Sequence, residues 1–156
     1  MRVNWFLLIG LIIACNLIGS FGAIWTASDG GWYKNINKPS FNPPSWVFGP
    51  VWTLLFSLMG IALYLVWVAP SSNVRTVALV FFGSQFILNV LWSYLFFGIN
   101  SPLWSLVEIF ILLIFIITTG FYFYFVNRFA GYLLIPYFLW VGFASFLNWA
   151  IWSLNR

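Results

Sequence analysis

The side chains with chemical potential in this sequence are tryptophans and amides set at helical spacing. Gln85, Asn89 and Trp92-Ser93 recur so that they share one helix face. Trp52 with Phe56, and Trp140 with Ala144 and Leu147, build two more faces by the same spacing. Flat aromatic walls that carry a few amide groups suit a large, flat, apolar ligand held by stacking and burial. The same patterns also serve plain packing, in which polar side chains bond across helices for ~0.6 kcal/mol on average. On the residues alone both readings stand. Glu108 is the one charged side chain inside an apolar run, and an ionisable group there is a functional candidate by default. The alternatives are a carboxylic acid bonded to a neighbouring helix or a side chain that reaches the interface. No second acid lies within any apolar run, which disfavours a transporter driven by a chain of acids.

Other chemistry is excluded by composition. The sequence has no histidine, so the commonest metal ligand, general base and haem ligand are missing. Serine–histidine and cysteine–histidine catalytic arrangements are ruled out with it. The single cysteine, Cys15, cannot form an intrachain disulfide. No metal site and no conventional catalytic residue is expected.

The elements that must position these residues follow from hydropathy. Apolar residues make up 63% of the chain and charged ones 5%, with a mean hydropathy of +1.01. So few charges cannot coat a water-facing surface, but they suit one that faces lipid. Arg2, Asp29, Lys34, Lys38, Arg75, Arg128 and Arg156 all sit at termini or between apolar runs. The runs cover residues 3–25, 46–68, 74–98, 102–126 and 129–154. Each exceeds the ~20 residues a helix needs to cross a bilayer, and backbone groups in lipid must be satisfied internally. The expectation is an all-α integral membrane protein, a single antiparallel bundle of five transmembrane helices. Arg2 before the first run gives it some look of a cleavable signal peptide; its length and Asn16 favour a packed helix.

Short links between long helices force antiparallel neighbours. Only the first connection, residues 26–45, is long, and its aromatics and prolines favour an ordered lid over a disordered linker. Ser101-Pro102 reads as an N-cap with proline at the first helical position, and Ser45 as a cap for the second span. Pro50 and Pro136 should bend or locally open their helices. Gly19, Gly22, Ala23 and Gly83 could allow close helix contact. The scattered cations offer no basic cluster for nucleic acid. They also divide evenly between the two sides, so orientation in the membrane is undetermined.

Residues 32–53 read WYKNINKPSFNPPSWVFGPVWT, followed by FILNVLWSYLFFG (86–98) and LLIPYFLWVGFASFLNW (133–149). This pattern resembles the tryptophan-rich sensory protein / translocator protein family, also called the peripheral-type benzodiazepine receptor family, and the resemblance covers essentially the whole chain. It implies a homodimer of five-helix bundles whose first loop closes over a pocket. The implied ligands are tetrapyrroles such as protoporphyrin IX and haem, together with synthetic translocator-protein ligands; no cofactor is required. Carried over residue by residue, the ligand-binding positions fall on Tyr33, Pro43, Phe48, Trp52, Phe56, Asn89, Trp92, Trp140, Ala144 and Leu147. Some bacterial members are reported to promote light-dependent porphyrin breakdown, attributed to the tryptophans matching Trp52 and Trp140. The resemblance thus implies a membrane receptor or sensor, with photo-oxidative degradation or transport of the ligand as alternatives. The cholesterol-recognition pattern of animal members needs a tyrosine near the C-terminus, and residues 146–156 contain none.

Overall fold

A computed structural model of the chain describes residues 3–27 and 30–156. Arg2 and Asp29, placed above between apolar runs or at a terminus, lie outside the described residues. Helix α1 spans Trp5–Ala27, a single turn α2 spans Trp32–Asn35, and α3 spans Ser45–Trp67. Helix α4 spans Asn73–Ser93 and continues into a π-helical turn, Tyr94–Gly98. Helix α5 spans Pro102–Val126, the short α6 spans Arg128–Leu133, and α7 spans Ile135–Leu154. Five segments are long and apolar enough to cross a membrane: α1, α3, α4 with its π turn, α5, and α6 with α7.

The boundaries show local chemistry at work. Ser72 caps α4 by accepting the Arg75 N–H at 3.1 Å. Ser101 accepts from Trp104, with Pro102 at the head of α5 as expected. Ser45 does not act as a cap. It is already the first helical residue, and the Val47 N–H goes instead to the Pro44 carbonyl at 3.0 Å. The Pro43-Pro44 pair holds the chain extended up to that point, so no side-chain cap is needed to stop the helix running backwards.

The prolines within the spans behave differently. Helix α3 runs unbroken through Pro50. The last span is interrupted at Leu134, between α6 and α7. Pro136 has no N–H to give the Tyr132 carbonyl, and the Leu134 N–H turns to Gly131 at 3.2 Å, so a turn replaces the continuous helix. The π turn closes with the Ile99 N–H on the Tyr94 carbonyl at 3.0 Å. Asn100, at φ 54°, then takes the left-handed conformation that asparagine tolerates best after glycine.

Packing links α4 to α5, α1 to α3, and α5 to α7 as the main contacts of the bundle. Met59, Leu112, Ile116, Phe123 and Val141 are among the fully buried side chains between them. The closest helix approaches are at glycines other than Gly83, around which a Cβ would find open space. A Cβ at Gly60 would lie 2.6 Å from the Ile12 Cα, which fixes the crossing of α1 and α3. A Cβ at Gly131 would lie 2.8 Å from the Tyr124 Cα, which presses α6 onto the end of α5. Both contacts involve backbone, which has little room to yield. Gly60→Leu should therefore destabilise the bundle by ~1–3 kcal/mol, the usual cost of overpacking. Gly83→Ala should be neutral or mildly stabilising. Thermal unfolding in detergent, followed by circular dichroism, checks the pair.

Candidate functional site

A cavity of about 450 Å³ opens within the half of the bundle beneath the first loop. Helix α3 brings Phe48, Trp52 and Phe56 to one wall, since these residues recur every four positions. Trp52 stacks on Phe56 at 5.2 Å between ring centroids. Helix α7 presents Trp140, Ala144, Leu147 and Asn148 opposite, with Trp140 set edge-on to Phe48 at 5.9 Å. Helix α4 contributes Asn89, Trp92 and Ser93, and the π turn adds Phe96 and Phe97. Trp92 stacks on Phe96 at 5.1 Å. Both successive phenylalanines of the π turn join the wall.

The cavity keeps its shape because its polar groups are tied to one another. The Tyr137 hydroxyl donates to Gln85 Oε1 at 2.8 Å and accepts from Asn89 Nδ2 at 3.1 Å. One phenol thereby joins α7 to two successive turns of α4. The Trp92 indole N–H donates to Asn148 Oδ1 at 3.0 Å, and Asn148 Nδ2 donates to the Pro102 carbonyl at 2.8 Å. That second chain links α4, α7 and the head of α5. On the other side Asn16 Nδ2 donates to Ser57 Oγ at 3.1 Å, tying α1 to α3. The Trp140 indole nitrogen is buried and has no hydrogen-bond partner among the described residues.

The loop folds over the cavity as a lid. Trp32 and Tyr33 of α2 pack edge-on against Phe96 at 5.5 and 6.1 Å. The Tyr33 hydroxyl donates to Asn42 Oδ1 at 3.0 Å, and Asn42 Nδ2 donates to the Pro43 carbonyl. Burial raises the Tyr33 phenol above its ordinary value near 10, and the Asn42 bond opposes that shift. A reciprocal amide clasp fixes the outer edge of the lid. Asn155 Oδ1 accepts the Asn37 backbone N–H at 3.0 Å, while Asn155 Nδ2 donates to the Asn37 carbonyl at 2.9 Å. Phe41 stacks on Phe146 at 5.1 Å beside it. Lys38 Nζ lies 4.7 Å above the Tyr33 ring, and Lys34, Lys38 and Arg156 all stand at this end of the bundle.

Of the residues singled out from sequence, all but Pro43 line the cavity. Pro43 sits in the loop and contributes its carbonyl to the Asn42 turn. The polar stripe of α4 divides: Asn89 and Trp92-Ser93 face the cavity, while Gln85 is buried behind it. Glu108 lies outside the wall. It is 6% exposed, and neither carboxyl oxygen has a hydrogen-bond partner among the described residues. It therefore neither reaches the interface nor bonds a neighbouring helix. Residues the sequence reading missed include Phe96, Phe97 and Asn148. Gly19 and Gly22 give the close helix contacts expected of them, since a Cβ at Gly19 would run into the Phe56 ring and one at Gly22 would lie 2.7 Å from the Ser93 hydroxyl. With Ala23 they also line the cavity.

Residues 11–153 match the model of the TspO/MBR family. The chain is 46% identical to the tryptophan-rich protein TspO of Archaeoglobus fulgidus, covering 98% of this chain and 99% of that protein. It is 34% identical to the tryptophan-rich sensory protein of Cereibacter sphaeroides, covering 99% and 95% of the two chains. It is also 34% identical to the human translocator protein, over 100% and 94%. Together with the five apolar helices, these matches make the chain an integral, multi-pass membrane protein.

The shared phenol is the most exposed point of this network to substitution. Tyr137→Phe would leave the Asn89 amide and the Gln85 carbonyl without their partner in the core. The expected loss is ~1–3 kcal/mol, the cost of unsatisfied buried polar groups. A lowered unfolding temperature in detergent is the readout, and an unchanged one would show that the amides find other partners.

Proposed function

The chain belongs to the TspO/MBR family, and on that premise we propose that it is a membrane receptor that binds porphyrin-type tetrapyrroles in the aromatic cavity. The observation that carries this reading is the convergence of Trp52, Trp92 and Trp140 on one cavity of about 450 Å³. That volume lies within the range of small-molecule sites, which are mostly apolar with a few placed polar groups. Indole faces offer dispersion and stacking to a flat macrocycle without requiring it to bond a metal. The Asn89 amide supplies a directional contact inside. Lys34 and Lys38 at the lid supply positive charge to peripheral carboxylates.

Haem would be held in the same way as the free porphyrin. The sequence has no histidine, and Cys15 is buried in α1 away from the cavity wall. Neither imidazole nor thiolate is therefore at hand for an axial bond, and affinity rests on the ring system and its carboxylates. Iron-containing and iron-free porphyrins should bind with similar strength. The reading also includes assembly as a homodimer, which rests on the family resemblance.

Titration of protoporphyrin IX while following tryptophan emission tests the proposal. Saturable quenching is expected in the native protein. The Trp52→Ala, Trp140→Ala double variant should bind at least about tenfold more weakly, or ~1.4 kcal/mol. Unchanged affinity in that variant would remove the pocket assignment. Illuminating the complex in air separates binding from breakdown. Loss of porphyrin absorbance that disappears in Trp52→Phe, Trp140→Phe would add a photo-oxidative role for these indoles with dioxygen as the oxidant.

A further inference from the structure

The cavity wall is exposed along one line. Residues contributed by α4, the π turn and α7 are buried or half-buried. The exposed wall residues are Ser20, Ala23 and Thr26 of α1 and Ser45, Gly49 and Thr53 of α3. Spacings of three on α1 and four on α3 place each set on one edge of its helix. The two edges therefore frame a slot between membrane spans. It descends about 12 Å along α3 from Ser45 to Thr53 at the helical rise.

The slot is closed at its far end, and the lid is fastened on the α7 side of the cavity. Toward the far side of the bundle, the Gly60–Ile12 contact and the Asn16–Ser57 bond hold α1 against α3. Toward the loop, the Asn37–Asn155 clasp and the Phe41–Phe146 stack fasten the lid. The edges themselves are small and effectively apolar. Ser20 Oγ donates to the Leu17 carbonyl at 2.7 Å, Thr53 Oγ1 to Gly49 at 3.0 Å and Thr26 Oγ1 to Gly22 at 3.4 Å. Each of these hydroxyls spends its proton on its own helix, so it asks nothing of a passing hydrocarbon.

We propose that the cavity is loaded sideways from the bilayer, through the slot between α1 and α3, with the lid remaining shut. This rests on the binding reading above and adds the source of the ligand. It is an amphiphile already dissolved in the leaflet, whose flat apolar body passes between the helices while its charged groups stay at the depth of Lys34 and Lys38. The slot admits a thin, planar body edge-on and resists bulky branched ones.

The test uses the full chain in phosphatidylcholine nanodiscs, with protoporphyrin IX added and tryptophan quenching followed by stopped flow. Ala23→Phe and Gly49→Phe narrow the slot from opposite edges; Asn155→Ala loosens the lid clasp. Each plug should slow association by about tenfold and slow dissociation with it, whereas the lid variant should alter association less. Plugs that leave both rates unchanged, with Asn155→Ala speeding association, would put the route through the lid and overturn the proposal. A plug that speeds dissociation has only damaged the wall, and it too overturns the assignment. A nitroxide on Thr53→Cys, in a Cys15→Ser background, gives a readout independent of porphyrin. High collision with oxygen and low collision with a water-soluble nickel chelate support a lipid-facing slot, and the reverse refutes it. Absence of saturable quenching in the native protein would refute the porphyrin reading, leaving the nitroxide result to decide the slot.

Discussion

In hydrocarbon a polar group has no water to fall back on, and that single constraint organises this protein. Helical hydrogen bonds satisfy most of the backbone, and most side-chain amides and hydroxyls find partners inside the bundle, Gln85 Nε2 being an exception among the described residues. Serines and threonines of the spans return their protons to carbonyls of their own helix, as Thr118 and Thr119 do on α5. Amides are too long and too rich in donors for that solution, so they are spent between helices. Asn16 joins α1 to α3, Asn89 and Gln85 join α4 to α7 through Tyr137, and Asn148 joins α7 to α5. Lipid tails are as apolar as the core, so these bonds and close packing, rather than a hydrophobic drive, decide which helices meet.

The cavity is a consequence of where those ties stand. They encircle it, with Asn16–Ser57 on one side and the Trp92–Asn148 and Asn89–Tyr137 pairs on the other. Between them the walls are aromatic rings that have few rotamers and brace one another. Trp52 stacks on Phe56, Phe56 on Phe86, and Trp92 on Phe96. Such rings cannot fold into the space as leucine or methionine could. Small residues on α1, Gly19, Gly22 and Ala23, decline to fill it from the remaining side. An open volume in a membrane bundle thus needs no external prop.

Much of this was legible from residue order, and the parts that were not have physical reasons. Span positions follow from hydropathy because lipid imposes a minimum length, and the interior faces follow from helical period. Phe96 and Phe97 escaped because an aromatic run such as YLFFG does not say which of its rings turn inward. Asn148 escaped because its partner Trp92 is distant in sequence and pairing across helices has no local signature. Ser45 was misread because a serine before an apolar run resembles a cap wherever it stands; the preceding prolines did the work instead. Small residues on α1 were read as contact points, which Gly19 and Gly22 are, and they line the cavity as well.

Glu108 shows where residue type alone misleads. An acid in a membrane span invites a role in the chemistry of the nearest cavity, yet its carboxyl oxygens lie outside the wall and have no partner among the described residues. The cavity's own polar groups are neutral amides and indoles, and its positive charges stand at the lid. For the porphyrin proposed as ligand, such a separation would suit an amphiphile, with the interior meeting its ring system and the rim its carboxylates. A fixed negative charge on the wall would oppose those carboxylates at ~4 kcal/mol per pair at 4 Å with an effective dielectric near 20, and Glu108, carried by α5, is not among the wall residues.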